Sequence, residues 1–249
     1  HRRAEVATPA LIAAISEEQC FAGSDEDIRR LAQDIAANLP LLKPARRLFL
    51  DVTATCRNDL KTGIERVARA LLLAILQEPP AGFRVEPVYL SNTNGEWQHR
   101  YARKYTMKLM GCPPDALDDD IVGPECGDIL LGLDYSGDIL VQAQEMGLFA
   151  AYRENGVTVY SLIHDLLPVR MPEVFVQGAG DLHARWLKSV SSFDGAICVT
   201  RTVAEDLGNW QSENGLTFKN RRPFDIDWSH HGADIANSIP SLGVPETAN

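Results

Sequence analysis

The sequence lacks the short motifs that define several common classes of nucleotide-binding and hydrolytic protein. It contains no G-x-G-x-x-G fingerprint, no Walker lysine and no G-x-S-x-G elbow. Those motifs supply the phosphate-binding turns of dinucleotide and P-loop proteins and the exposed nucleophile of α/β hydrolases. Dinucleotide and P-loop functions therefore lose their main support, and hydrolysis of esters ranks last among the functions that the sequence allows.

Basic residues are in the minority, and long apolar runs are missing. The 249 residues include 24 Lys and Arg against 34 Asp and Glu, which gives a formal net charge of −10. Nucleic-acid binding depends on clustered Lys and Arg that release counterions from phosphates, so we expect no nucleic-acid partner. No apolar run approaches the roughly 20 residues that span a bilayer, and the start does not resemble a signal peptide.

Cysteine is sparse, and its spacing indicates neither disulfides nor a zinc site. The five cysteines are odd in number and include no C-x-x-C pair, which is typical of reduced thiols in a cytoplasmic protein. We therefore expect a cytoplasmic location. The chain starts at His1 rather than Met and stops at Asn249 without a closing element, and from both ends we expect a piece of a longer protein.

Residues 1–45 have the apolar spacing of helices. Ser24 is a candidate N-cap with Asp27 three positions later, which is a helix-start pattern. Beyond it, apolar residues follow at spacings of three and four, namely Ile28, Leu31, Ile35 and Leu39. We predict an N-terminal helical extension over residues 1–45 and a domain of a different kind over residues 46–245.

From Arg46 onward, short apolar runs alternate with amphipathic helices. The predicted strands are 48–52, 85–90, 129–133, 157–163 and 196–199. The predicted helices are 64–75, 101–110, 140–154, 181–190 and 203–213. This alternation predicts an α/β, Rossmann-like fold with a mostly parallel sheet and helices on both faces. Pro87 favours an edge position or an irregular segment for the second strand, and residues 91–127 are predicted to be largely loop.

Ligands of open parallel sheets bind outside the carboxyl ends of the strands. In this sequence that rule selects four loops, which are 51–63, 134–137, 164–168 and 200–202. The first ends in Thr62-Gly63-Ile64-Glu65-Arg66, where Gly63 would let a ligand approach the backbone and the helix start would offer N–H groups to an anion. The alternative is an ordinary loop glycine before a capped helix, and spacing alone favours that alternative.

His164 and Asp165 directly follow a predicted strand, so an imidazole and a carboxylate stand at the rim of the expected cleft. A His can donate to sugar hydroxyls near neutral pH, and an Asp can accept from them. The alternative is a structural His–Asp hydrogen bond that fixes the turn at Pro168. Asp134 and Tyr135 could bind an acceptor sugar, although an Asp in that position also caps helices, and Thr200 is more typical of a cap than of a ligand contact.

Two clusters suggest a metal site at first sight. Asp118-Asp119-Asp120 could bind a hard cation, but it precedes a strand, which favours a solvated acidic turn. His230 and His231 are adjacent, and neighbouring residues of a strand point to opposite faces. We assign no metal.

Several segments together resemble glycosyltransferase family 4 enzymes of bacterial polysaccharide assembly, particularly mannosyltransferases. The matching segments are Asp51-Val52-Thr53, Thr62-Gly63-Ile64-Glu65-Arg66-Val67, Ile163-His164-Asp165-Leu166-Leu167-Pro168 with Pro172-Glu173, Val199-Thr200 and His230-His231-Gly232-Ala233-Asp234-Ile235. The resemblance covers residues 46–245. It departs from the family at Glu65, where many relatives carry Gln, and in the absence of the paired carboxylates of the second domain.

The resemblance implies one half of a GT-B fold, the acceptor-side domain, with a C-terminal donor domain outside this sequence. It implies retaining transfer of a sugar, mannose from GDP-mannose, to a glycan or lipid-linked saccharide such as O-antigen. The donor would be bound mainly by the other domain, so no cofactor is expected here, and the full-length protein would associate peripherally with the inner membrane. The alternative is a non-catalytic module that binds a glycan or a partner.

By position, the resemblance also implies residue roles. His164 and Asp165 are the candidate catalytic residues, with His164 near the donor sugar. The candidate substrate-binding residues are Gly63, Arg66, Asp134, Tyr135 and Thr200. Because the opposite domain completes such sites, we expect this chain to be inactive alone.

Overall fold

The computed structural model describes residue 24 and residues 46–58, 63–114, 117–216 and 223–230. The chain divides into two units between residues 45 and 46, and all the helices and strands given below belong to the second. The predicted helical extension over residues 1–45 lies outside the described residues, apart from the exposed Ser24.

The described residues form one seven-stranded sheet. Its strands are β1 (Arg46–Asp51), β2 (Phe83–Thr93), β3 (Glu96–Tyr101), β4 (Ile129–Gly132), β5 (Thr158–Ile163), β6 (Gly195–Cys198) and β7 (Asp225–Trp228). Their order is β3-β2-β1-β4-β5-β6-β7. All neighbours are parallel except β2 and β3, which are antiparallel.

Eight α-helices connect the strands within the described part of the chain. They are α1 (Thr53–Arg57), α2 (Gly63–Gln77), α3 (Arg103–Leu109), α4 (Asp138–Glu145), α5 (Leu148–Glu154), α6 (Leu167–Arg170), α7 (Ala179–Val190) and α8 (Arg201–Glu213), with a 3₁₀ turn at Pro172–Val174. None of the helices described in residues 46–230 combines the length and the apolar character needed to cross a membrane.

Alternating side chains of β1 pack into two apolar cores, one on each face of the sheet. Phe49 packs into a cluster with residues of α4, α5, α7 and α8, whereas Leu50 packs with Ala68 and Leu72 of α2. Because successive strand residues point to opposite faces, this alternation requires helices on both sides. The predicted α/β, Rossmann-like fold with a mostly parallel sheet is confirmed.

The prediction of loop over residues 91–127 is wrong in its first third. Residues 91–93 extend β2, and β3 pairs back against it through the two-residue turn Asn94–Gly95. Both turn residues have positive φ, 54° for Asn94 and 89° for Gly95, as a type I′ hairpin turn requires. The Asn-Gly pair is the local signal for this hairpin, and the surrounding polar residues obscure it.

Pro87 lies in an internal strand, so the edge position suggested for it is wrong. Its carbonyl accepts a hydrogen bond from the Ala102 N–H at 2.8 Å, and pairing with β3 begins only at Val88. On the β3 side, Pro87 therefore lies just beyond the paired residues, so its missing N–H does not remove a hydrogen bond of the β2–β3 ladder. The predicted helix 140–154 is likewise two helices, α4 and α5, separated at Gly147 with a φ of 83°.

Gly195 in β6 provides a test of sheet packing. A Cβ at this position would overlap the Asp225 carbonyl oxygen of β7 and lie 2.8 Å from Cε1 of Tyr160. We expect Gly195→Ala to lower the free energy of unfolding by about 2 kcal/mol, because neither the backbone nor the ring can move freely. Urea unfolding followed by circular dichroism measures this change.

The matched control is Gly208→Ala in α8, where the nearest atom to a new Cβ is Ile226 Cδ1 at 4.0 Å. Alanine in a helix interior is favoured over glycine by up to about 1 kcal/mol, so this variant should be as stable as the wild type or more so. Equal stability of the two variants would contradict the packing described for β6 and β7.

Candidate functional site

The connections between strands reverse direction between β1 and β4. The chain leaves β1 for β2 and β3 on one side of the sheet and returns to β4 on the other. Loops that follow strands on either side of such a switch point diverge, and the crevice between them is the usual ligand site of doubly wound sheets. Here the loops after β1 and β4 flank the crevice.

A cavity of about 310 Å³ lies beside this switch point. Its lining comes from the first turn of α2, the loops after β4 and β5, and the segment from α6 to α7. The lining residues are Ile64, Tyr135, His164, Asp165, Pro168, Phe175, Ala179, Leu182, His183 and Trp186. The structure thus brings three predicted site residues, Tyr135, His164 and Asp165, to one cavity, with Ile64 contributed by the residue after Gly63.

His164 connects the ends of β5 and β4. Its Nε2 lies 2.9 Å from the Leu133 carbonyl oxygen. A carbonyl can only accept, so Nε2 carries a hydrogen and donates it. The half-buried ring is therefore held in a defined orientation at the wall of the cavity.

Asp165 fixes the turn that follows β5. Its Oδ1 accepts a hydrogen bond from the Leu167 N–H two residues later, at 3.0 Å, which is the bond of an Asx turn. α6 begins at Leu167, with Pro168 in its first turn. The carboxylate therefore has a structural task whether or not it also contacts a ligand.

Three aromatic rings pack together in the cavity wall. The ring of Tyr135 stacks on that of His183 with a centroid separation of 5.2 Å and meets the Trp186 ring edge-on at 5.0 Å. Burial, with the nearby carboxylates Asp138 and Asp165, raises the pKa of Tyr135 to about 12, so its phenol keeps its proton. Gly137, with a φ of 50°, lies beneath this ring, and a Cβ there would be 3.4 Å from Cε1.

His183 and Trp186 are site residues that the sequence patterns do not reveal. Both lie on α7, three positions apart, and are 6% and 2% exposed. The Asp165 backbone and carboxylate lie near enough to His183 to raise its pKa, against the lowering effect of burial. Their spacing indicates only that they share the buried face of an amphipathic helix, and their contact with Tyr135 depends on the tertiary fold.

Two nitrogen atoms of this wall have no hydrogen-bond partner among the described residues. They are Nε2 of His183 and Nε1 of Trp186, and both are closed to water. A buried donor or acceptor without a partner costs about 1–3 kcal/mol. Burial lowers the pKa of His183, an effect that Asp165 opposes, so the ring favours its neutral form.

α7 approaches α6 closely at Gly180. A Cβ at this position would lie 2.8 Å from the Pro168 carbonyl oxygen. Only glycine permits this separation without a shift of the backbone. The residue therefore sets the distance between the two helices that border the cavity.

Asp134 is buried where β4 ends, with 4% of its surface exposed. Its Oδ2 accepts hydrogen bonds from both the N–H and the hydroxyl of Thr55, each at 2.8 Å. Burial, together with the neighbouring carboxylate Asp51, raises the pKa of Asp134 to about 7. These bonds fasten α1 to the end of β4.

Asp51 is the corresponding buried carboxylate at the end of β1. Its Oδ1 accepts from the N–H of Thr53 at 2.9 Å and from the hydroxyl of the same residue. Its Oδ2 lies 3.1 Å from Nε2 of His99, whose Nδ1 is 3.2 Å from the Tyr152 hydroxyl. The two carboxylates therefore hold α1 across the switch point.

The other predicted site residues lie outside the lining of the cavity. Gly63 begins α2, is exposed, and has no atom within 4 Å of where a Cβ would stand, so space does not require glycine there. Arg66 is exposed on the first turns of α2. The Thr200 hydroxyl oxygen caps α8 by accepting from the Val203 N–H at 3.2 Å.

The acidic run 118–120 is bonded to basic residues of β3 and α3. Arg103 donates to the Asp120 carboxylate at 2.6 Å, and Lys104 pairs with Asp118 at 3.1 Å. Within the described part of residues 46–230, no group of three His, Cys, Asp or Glu side chains is placed to hold a metal ion. His231 and the segment after it lie outside the described residues.

The fold and the position of its cavity define a Rossmann-like α/β protein with a cavity at the carboxyl ends of its strands. In sequence, the chain is similar to serotype-specific mannosyltransferases WbdA of Escherichia coli. Three such proteins are 31% identical to it over 226 to 230 residues, which is 90% of this chain. No family model matches the chain.

The chain spans 26–27% of the length of these relatives. The similarity covers almost the whole chain, so the kinship with bacterial mannosyltransferases that the sequence segments indicate is confirmed. The comparison concerns about a quarter of each relative, and the roles of individual residues stay predictions.

The raised pKa of Asp134 predicts a pH dependence of stability. A carboxyl group with a higher pKa in the folded than in the unfolded protein binds more protons when folded, so stability falls as pH rises from about 4 to about 7. Asp134→Asn removes this titration. We expect the free energy of unfolding of the wild type, relative to the variant, to decrease by on the order of 2–4 kcal/mol over this range.

Denaturant unfolding at half-unit pH steps measures the difference. Asp118→Asn is the matched control, because the Asp118 side chain is 87% exposed and its replacement should leave the pH profile nearly unchanged. A constant difference between wild type and Asp134→Asn across this range would show that Asp134 does not titrate there.

Proposed function

We propose that this chain is the acceptor-side domain of a retaining mannosyltransferase with GT-B organisation, acting in bacterial polysaccharide assembly. The observation that carries the proposal is the cavity at the carboxyl ends of β4 and β5, which gathers His164, Asp165 and Tyr135. The similarity to E. coli mannosyltransferases over 90% of the chain supports the same function.

The size of the cavity fits part of a carbohydrate. Small-molecule sites range from about 300 to 1,000 Å³, and this cavity has about 310 Å³. It is therefore matched to one sugar ring rather than to a long oligosaccharide. Its opening at the strand ends is the side on which a second domain would meet it in a GT-B arrangement.

His164 is the proposed contact to the sugar that is transferred. Its ring is held by the Leu133 carbonyl, so little reorganisation is needed when a ligand binds, and preorganised polar groups are effective in stabilising a transition state. Asp165 keeps the same loop in place through Leu167. Gly63 and Arg66, at the start of α2, are proposed to approach the phosphates of a nucleotide-sugar donor.

The remaining features of the proposal concern partners outside this chain. The donor, GDP-mannose, would be held mainly by a second domain, and the acceptor would be a growing glycan or a lipid-linked saccharide of the O-antigen type. Such an acceptor would place the protein in the cytoplasm, at the inner surface of the membrane. Asp134, Tyr135 and Thr200 are the proposed acceptor-side residues.

A second candidate function is a non-catalytic module that binds a glycan. The observation that favours it is the use of predicted polar site residues for local structure. Asp134 bonds Thr55, and Thr200 caps α8, which leaves few polar groups for chemistry. A module of this kind would bind mannosides and transfer nothing.

The test is transfer of radiolabelled mannose from GDP-mannose to a mannose oligosaccharide by the natural protein that contains this sequence. We expect transfer, and we expect His164→Ala to lower kcat by at least about 100-fold with an unchanged circular dichroism spectrum. His230→Ala is the control, because His230 is exposed and outside the cavity.

Near wild-type activity of His164→Ala would remove His164 from the mechanism. Binding of mannosides without any transfer by the natural protein would favour the non-catalytic module.

A further inference from the structure

We propose that the aromatic wall formed by Tyr135, His183 and Trp186 is a subsite for one neutral sugar ring of the acceptor, with His183 and Trp186 binding a hydroxyl group of that ring. Its identification as an acceptor subsite rests on the proposed function. The observation behind it is the pair of partnerless nitrogens, Nε2 of His183 and Nε1 of Trp186, in the wall of a cavity.

The two nitrogens have complementary hydrogen-bonding roles. Nε2 of His183 has no partner among the described residues, and a neutral imidazole with its hydrogen on Nδ1 presents Nε2 as an acceptor. This tautomer is the one that the proposal assigns to His183. The indole Nε1 of Trp186 is a donor only.

A hydroxyl group can donate one hydrogen bond and accept another at the same time. It donates its hydrogen to Nε2 of His183 and accepts one from Nε1 of Trp186. The two side chains lie close together, with ring centroids 5.4 Å apart. A carboxylate or phosphate ligand would lack the hydrogen that Nε2 needs, and a hydrocarbon would satisfy neither atom.

The rest of the wall selects a ligand with an apolar face. Phe175, Leu182 and Ile64 line the same cavity, and almost all of its surface is apolar. A sugar ring has a face of C–H groups that packs on aromatic rings and an edge of hydroxyl groups. That combination matches an aromatic surface with one donor and one acceptor.

Entry of the sugar requires a rearrangement within the wall. Both nitrogens are closed to water in the structure, and the Tyr135 ring covers His183 in a stacked contact. The sugar ring therefore replaces part of the contact between Tyr135 and His183. Binding gives the two nitrogens the partners that the ligand-free protein lacks.

The test uses the 249-residue chain, with methyl α-D-mannopyranoside as the probe and cyclohexylmethanol as a ring of similar size without ring hydroxyls. The indole N–H signals in ¹⁵N NMR spectra are assigned with Trp→Phe variants. We expect the Trp186 signal to move downfield on addition of the mannoside, because its N–H gains an acceptor, and to move little with cyclohexylmethanol.

Variants separate binding from folding. His183→Asn keeps a donor near the position of Nδ1 and removes Nε2, and Trp186→Phe removes Nε1. Each should weaken mannoside binding by about 10-fold, the value expected for one hydrogen bond. Denaturant unfolding of both variants checks that the fold is kept, since each change also removes ring contacts with Tyr135. Trp228→Phe is the control, because Trp228 is 43% exposed and lies outside the cavity.

The outcomes distinguish this inference from the proposed function. Unchanged mannoside binding in His183→Asn and Trp186→Phe, or equal shifts with both probes, overturns the subsite, even if the natural protein transfers mannose. If the wall is an acceptor subsite, both substitutions, made in the natural protein, raise the KM for the acceptor and leave the KM for GDP-mannose unchanged. If the variants lose mannoside binding and the natural protein transfers no mannose, the sugar subsite stands and the proposed transferase function is wrong.

Discussion

The crevice depends on two carboxylates that are buried where neighbouring strands end. Asp51 closes β1 and Asp134 follows β4, and each accepts hydrogen bonds from a threonine of α1. Burial of a carboxylate is costly unless donors surround it, and the five residues of α1 provide those donors. The helix can serve both carboxylates only in one position, so the loops on the two sides of the switch point are held together. Tyr135, the residue after Asp134, is positioned by the same contacts.

The sheet and most of its helices are predictable because their signals are local. Alternation along β1 and helical spacing along α2 reflect which face each residue buries. Asn94–Gly95 is also a local signal, hidden by a loop-rich composition. The rule that ligand sites follow strand ends predicts the location of His164 and Asp165, and both residues line the cavity. His183 and Trp186 could not be found in this way, because their importance depends on packing against Tyr135, which is distant in sequence.

The loop after β5 connects the residues that sequence indicates with those that only the fold reveals. The Asp165 carboxylate bonds the first residue of α6, and Asp165 also influences the pKa of His183. His164, the preceding residue, is bonded to the end of β4. One short segment therefore sets the geometry on two sides of the cavity, and a shift of its backbone would change both. This coupling holds the His164 side of the cavity in a defined geometry.

Gly180 has a consequence for attempts to alter what the cavity binds. The close approach of α7 to α6 depends on the absence of a side chain at Gly180, because a Cβ there would collide with the Pro168 carbonyl and force the backbone to shift. A library that varied this position would change the shape of the site before it changed any chemistry, and losses of binding would be misread as losses of recognition. Changes to what the cavity can hold should therefore begin with Leu182 or Phe175, whose side chains line it.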